Sequence, residues 1–170
     1  MTTTENIENS SNIFDILRSR GILSPSMQKI VAGFAAKWGI SNFKALTETH
    51  MANESQIAEI LADKLGFPRL TRVKIMSVPK EILALIPFSL ALDMAVFPFE
   101  LTEAQRLHVV FADPSDPNTI RNLEILTGKT VEPFIGEHSE IIAAIQRHYP
   151  LDLQLPSLLE GVSMLKSGSP

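Results

Sequence analysis

The chain has 170 residues, of which 45 % are apolar and 20 % charged, and its formal net charge is −4. That length suits one domain or two small packed subdomains, and the composition excludes a wholly disordered chain. The acidic balance argues against a nucleic-acid surface, and the absence of cysteine excludes disulfides, thiolate zinc sites and a cysteine nucleophile.

Residues 1–11 are polar and read as a disordered tail. The opening Met1-Thr2-Thr3-Thr4-Glu5-Asn6 has no basic region followed by an apolar one, so no signal peptide is expected, and the default address is the cytoplasm. Residues 12–68 then carry a pattern repeated at an offset of 30 residues. Ile13 matches Phe43, Ile16 matches Leu46, Met27 matches Ile57, Ile30 matches Ile60 and Val31 matches Leu61. Each copy predicts a short helix, a turn and a longer helix. Ser24-Pro25 is an N-cap followed by proline at the first helical position, and Asn53 caps the corresponding helix of the second copy. Met27, Ile30, Val31 and Phe34 stand at helical spacing, as do Ile57, Ile60, Leu61 and Leu65. Gly66-Phe67-Pro68 closes this helical repeat subdomain.

Residues 69–150 change character and predict a small α/β subdomain. A helix opens at Ser77-Val78-Pro79-Lys80-Glu81, runs through Leu85 and is broken by Pro87; a second short helix covers Phe88 to Asp93. Ala95 to Leu101 and Leu107 to Ala112 read as strands joined by a hairpin loop over Thr102 to Arg106. Pro98 fits an edge or bulged position, and the run Val109-Val110-Phe111 suits a strand covered on both faces. Asp116-Pro117 starts a helix with Ile120, Leu123 and Leu126 on one face, stopped by Gly128. Thr130 to Ile135 is the third strand, and Glu137 to Tyr149 the closing helix, with basic residues in its last turn. Residues 151–170 read as a linker or tail, with Leu158-Leu159 on one helical turn. The fold class expected is therefore α/β (α+β): two repeated helical hairpins, then a three-stranded sheet covered by helices. From Ile82 to Phe99 only Asp93 is charged, but Pro87, Asp93 and Pro98 interrupt a run already short for a membrane span of roughly 20 residues.

Several motifs invite chemistry. Gly128-Lys129-Thr130 suggests a phosphate loop, yet the glycine needed five residues earlier is Leu123, and the stretch closes a helix instead of opening one. Lys129 is therefore read as an exposed lysine after a glycine cap. His50, His108, His138 and His148 offer no i, i+4 pair for a metal. In Asp113-Pro114-Ser115-Asp116-Pro117 the carboxylates shape a turn and cap a helix. Arg18 and Arg20 flank the first repeat's turn and are the candidate grip for an anionic ligand, against a solvated helix end.

The signals from Ile57 to Tyr149 follow a specific order. Leu65-Gly66-Phe67-Pro68 is followed by Leu85-Ile86-Pro87, then Val96-Phe97-Pro98-Phe99, then Ala112-Asp113-Pro114-Ser115-Asp116, then Leu126-Thr127-Gly128, and last Ile141-Ile142-Ala143-Ala144-Ile145. With the helical repeat before it, this resembles the N-terminal domain of the type II secretion and type IV pilus assembly ATPases over about residues 12–150. The resemblance implies a non-catalytic docking and regulatory module ahead of a hexameric ATPase, recruited to the inner-membrane face by the cytoplasmic part of a platform protein. It implies no cofactor, no metal and no DNA or RNA partner, and it leaves the Walker residues to a later domain. In some members the repeated helices bind cyclic di-GMP through a repeat that begins Arg-Leu-Gly, has a middle glycine and ends near glutamine. Here Asn12-Ile13-Phe14 and Asn42-Phe43-Lys44 stand at the starts, Gly21 and His50 at the middles, and Lys37 and Lys64 near the ends. Arg18 and Arg20 are then the substitutes that would hold the nucleotide.

Overall fold

The computed structural model describes residues 14–15, 17–73, 76–114 and 116–155. The expected tail over 1–11, Asn12, Ile13 and Ile16 of the first repeat, Ser115, and 156–170 with the Leu158-Leu159 turn lie outside them. Two compact units divide between Gly66 and Phe67.

In the first unit, helical residues 14–15 and 17–19 bury Phe14 and Leu17. The turn that follows puts Gly21 at φ +69°, and its N–H donates to the Arg18 carbonyl at 3.0 Å. Helix α1 (Pro25–Trp38) starts where the Ser24 hydroxyl accepts from Met27 N, with Pro25 supplying a helical φ, and stops at left-handed Gly39. Helix α2 (Asn42–Glu48) is capped by Ser41, and α3 (Glu54–Leu65) by Asn53, whose side chain accepts from Ser55 N at 2.8 Å. The second copy of the repeat turns at His50, which adopts φ 52° where the first copy has glycine. The turn is thus retained without glycine, at a backbone cost on the order of 1 kcal/mol.

Val31, Ala35, Ala45, Leu46, Ile57, Ala58, Ile60 and Leu61 form this unit's core, together with Leu17 and Leu23. The expected stripe on α1 needs correcting at one position. Val31 is fully buried, but Ile30 is 54 % exposed. One residue turns a helix by about 100°, so a face centred on Val31 and Ala35 leaves Ile30 outside.

The second unit runs α4 (Lys80–Leu83), α5 (Phe88–Met94), β1 (Val96–Leu101), β2 (Arg106–Phe111), α6 (Pro117–Thr127), β3 (Thr130–Ile135) and α7 (His138–His148). Helix α4 is shorter than its sequence suggests. The amides of Leu85 and Ile86 bond three residues back, to Ile82 and Leu83, so the last turn tightens before Pro87. The run from Ile82 to Phe99, charged only at Asp93, is thereby divided among α4, α5 and β1. Among the described residues no helix is long and apolar enough to cross a membrane.

The sheet order is β1-β2-β3. β1 pairs antiparallel with β2, with an irregularity between Pro98 and Glu100, so the proline sits on a bulged edge strand as its missing N–H requires. β2 pairs parallel with β3, Arg106 opposite Thr130 and Phe111 opposite Ile135. A parallel neighbour needs a crossover, and α6 is that crossover. Its N-cap is Asp116, accepting from Asn118 N at 2.9 Å, and its C-cap is left-handed Gly128. On α6 Leu123 is buried, whereas Leu126 is 48 % exposed, so the expected stripe is narrower than Ile120, Leu123 and Leu126.

The outer edge of β3 is closed residue by residue. Positions 131, 133 and 135 point their backbone groups to one side. Val131 N donates to Glu124 Oε1 at 3.0 Å, Pro133 has no N–H, and Ile135 N donates to the Pro68 carbonyl at 2.9 Å. Leu70 N returns to the Ile135 carbonyl at 2.8 Å. Strand addition at this edge therefore finds no row of open donors.

Helix α7 buries Ile141, Ala144 and Ile145. At its end Tyr149 is buried, stacks near Phe88 and Phe97 at 5.6 and 6.5 Å, and donates its hydroxyl to the Ile86 carbonyl at 2.8 Å. Residues 151–155 of the expected linker are helical and tied back: Lys80 pairs with Asp152, and Gln154 Nε2 donates to the Tyr149 carbonyl at 2.7 Å. The Lys80 hydrogen bond holds the Asp152 carboxyl below its ordinary value.

Two outcomes follow from this packing. A Cβ on Gly136 would lie 2.7 Å from Val110 Cγ2, a core atom with little freedom. Gly136→Ala should therefore lower the unfolding free energy by about 1–3 kcal/mol in urea titration, at unchanged m-value. Burial pushes the Tyr149 phenol above its ordinary value of 10.0. The stability this gives is complete below pH 10.0 and is lost as pH rises past it, because only the unfolded chain then ionises. Tyr149 is the chain's single tyrosine. Tyrosinate absorbance should appear together with loss of helical circular dichroism, not before it.

Candidate functional site

Arg18 and Arg20 lie around the Gly21 turn with their side chains 51 % and 48 % exposed. Arg18 Nη2 is 3.7 Å from Asp15 Oδ1, and Arg20 Nη2 is 3.6 Å from Asp63 Oδ2 on α3. The structure thus gives each arginine its own carboxylate. Exposed pairs of this length are worth little and exchange readily with water, so both guanidinium groups stay available to a planar or anionic ligand that offers better geometry.

The other motifs take up structural positions. Gly128 is the left-handed cap of α6, and Lys129 Nζ donates to the Gln105 side chain in the β1–β2 loop. That loop turns at Gln105, at φ 61°, where Gln105 N donates to the Thr102 carbonyl. The amine therefore serves the hairpin. Asp116 caps α6 as expected. His148 packs its ring 6.0 Å from that of Phe97, and His138 opens α7. Among the described residues no group of three His, Asp or Glu side chains is placed to hold a metal ion.

One cluster escaped the sequence reading. On the sheet, His108 Nδ1 lies 3.0 Å from Glu100 Oε2 on β1, and its Nε2 lies 2.8 Å from Glu132 Oε2 on β3. Arg106 Nη1 reaches Glu132 Oε1 at 2.5 Å. Phe99 and Phe134 flank the imidazole at 5.8 and 5.1 Å, and meet each other edge-on at 5.1 Å. An imidazole satisfies two carboxylates together only when both ring nitrogens donate. The Arg106 hydrogen bond is the first cause that holds the Glu132 carboxyl below its ordinary value, and His108 adds to it. These residues span positions 99–134, and only the strand register brings them together. The cluster ties three strands across an open stretch of sheet. The chemistry it supports is cohesion, since Arg106 and His108 hold the carboxylates across the strands.

A second feature concerns α1. Ile30 is 54 % and Trp38 63 % exposed, and the Trp38 ring lies 6.2 Å from that of Phe34. Lys37 Nζ stands 5.6 Å from the centre of the Trp38 ring. Periodicity alone assigned Ile30 to the core. The signal that separates it is the scarcity of charge on α1, which does not say which side is covered.

The chain thus combines a repeat-built helical unit with a three-stranded α/β unit. The same fold occurs in the N-terminal domain of XpsE, at a TM-score of 0.72 and 22 % identity, covering 84 % of this chain and 96 % of that one. The chain belongs to the MshEN domain family, whose model matches residues 65–155. It is 32 % identical over 134 residues to the type IV pilus assembly ATPase PilB of Thermus thermophilus, and 30 % identical over 105 residues to that of Myxococcus xanthus. The matches take in 76 % and 62 % of this chain but 15 % and 18 % of those proteins, so the chain spans less than a fifth of their length. A structure of MshE with cdg has the same fold at a TM-score of 0.61 and 19 % identity, over 81 % of this chain and 98 % of that one.

The Glu132 ties generate an acid-limb test. A lowered carboxyl value stabilises the fold above the ordinary 4.5, and that contribution disappears as pH falls through the lowered value. Glu132→Gln should lower the urea midpoint at neutral pH, and the gap to the wild type should close in acid.

Proposed function

We propose that this chain is the non-catalytic docking and regulatory domain of a type II secretion or type IV pilus assembly ATPase. In this reading it binds the cytoplasmic part of an inner-membrane platform protein and passes that contact to an ATPase domain, in cis or in trans. The observation that carries it is the alignment of most of this chain with a short part of a pilus assembly ATPase. The residues fit the role. The sequence contains no Gly-x-x-x-x-Gly-Lys-Ser/Thr stretch, and Gly128 and Lys129 serve a helix cap and a hairpin loop. The division into a tail over 1–11, a helical repeat over 12–68, an α/β part over 69–150 and a connecting segment over 151–170 belongs to the same proposal. So does its place at the cytoplasmic face of the inner membrane.

A second reading has its own observation, the shared fold of MshE solved with cdg. In it the repeat binds cyclic di-GMP and Arg18 and Arg20 grip the ligand, replacing the arginine that Asn12 and Asn42 displace. Calorimetry separates the two. Saturable heat with the platform's cytoplasmic domain, and none with cyclic di-GMP, supports docking alone. Saturable heat with cyclic di-GMP that disappears when Arg18→Ala and Arg20→Ala are combined supports the sensor. Heat with neither ligand sinks both.

A further inference from the structure

The ring of His108 faces a carboxylate on each side. Its Nδ1 lies 3.0 Å from Glu100 Oε2, and its Nε2 lies 2.8 Å from Glu132 Oε2. An ionised carboxylate only accepts, so both contacts together need a ring that donates twice, which is the charged imidazolium. A neutral ring has one N–H, and its other nitrogen turns a lone pair toward the second carboxylate. Two acceptors at hydrogen-bond distance repel each other, so one of the two contacts must then open. The surroundings decide which. Glu132 has a side chain 36 % exposed and also accepts from Arg106 Nη1 at 2.5 Å. That hydrogen bond is the first cause holding its carboxyl below the ordinary value, so Glu132 stays charged throughout the range in which imidazoles change charge. Glu100 is 59 % exposed and stands on the edge strand. Pro98 pairs with Val109 and Glu100 with His108, which leaves Phe99 as the extra residue of a bulge. The bulge brings both Phe99 and Glu100 to the imidazole, and it interrupts the ladder at that point. This stretch of β1 therefore yields more readily than β3.

We propose that His108 is a proton-dependent clasp of the sheet: with both ring nitrogens protonated it fastens β1 to β3 across β2, and on losing one proton it keeps Glu132 and releases Glu100 to water. The charged groups that face the ring are Glu100 from β1, Arg106 from its own strand and Glu132 from β3. From α7, His148 packs on Phe97 farther along the sheet. Phe99 and Phe134 flank the ring with no charge of their own. With the ring charged, Arg106 and His108 balance the two carboxylates. With the ring neutral, the four groups carry one negative charge in excess, and the carboxylate that turns outward is that of Glu100. The device thus converts a proton into two changes in one place, a looser bulged edge and a more acidic surface.

Proton and nitrogen magnetic resonance of the full chain, between about pH 5.5 and 8, tests the clasp. The ring signals of His108 are recognised by their proximity to Phe99 and Phe134. At the acid end both of its ring N–H protons should be visible and slow to exchange with water. At the alkaline end the Nε2 proton alone should remain. The backbone amides of Phe99, Glu100 and Leu101 should shift with the same midpoint as the ring, while those of Val131 and Glu132 hold still. Glu100→Gln should abolish the movement of β1, because an amide side chain both donates and accepts and so suits either state of the ring. The substitution is at an exposed position, so circular dichroism should match the wild type. A single ring proton at the acid end, an Nδ1 proton kept at the alkaline end, or β1 amides that ignore the ring's change of charge each overturn the clasp. So does a movement of β1 as large in Glu100→Gln as in the wild type.

Discussion

Residues 67–155 depend on one constraint, the double pairing of β2. That strand is antiparallel to β1 on one side and parallel to β3 on the other. The antiparallel side needs only the short loop that turns at Gln105. The parallel side needs a connection long enough to return to the starting end, and this is why Asp116 and Gly128 bracket a helix there. With neighbours on both edges, β2 is also the strand best protected from water. Leu107, Val109, Val110 and Phe111 are each 1 % exposed or less, and the tight approach of Gly136 to Val110 packs the start of α7 onto it.

The edges show the reverse side of that constraint. A three-stranded sheet has two open flanks, and each is blunted with local chemistry. β1 carries Pro98 and a bulge. β3 spends its outward positions on Glu124, a proline and the Pro68–Leu70 segment. Arg69 Nη2 to Glu137 Oε1 at 3.1 Å, and Val73 N to Glu140 Oε2 at 3.3 Å, bind the same entering segment to the start of α7. Recognition by strand addition is therefore poorly served at β3.

Polar groups throughout the second unit serve the scaffold. The imidazole of His108 bridges strands, the hydroxyl of Tyr149 satisfies a buried carbonyl at Ile86, and Lys80 fastens the residues that lead toward the carboxyl end. Cross-strand ties and capped helices of this kind hold the unit's shape.

Local signals, which act within four or five residues, were legible in the sequence. Ser24, Asn53 and Asp116 announce helix starts, Gly66 and Gly128 helix ends, and Pro98 an edge strand, because each constrains its own backbone. The order of these signals also sufficed to point to the family. What only the tertiary structure decided is which apolar face turns inward and which distant side chains meet. Ile30 and Val31 are neighbours of nearly equal hydrophobicity, yet one is exposed and the other sealed, since the choice belongs to the packing partner and not to the residue. Glu100, His108 and Glu132 are ordinary polar residues until strand register sets them opposite each other. Register and helix rotation are properties of the assembled core, and no single stretch of chain contains them.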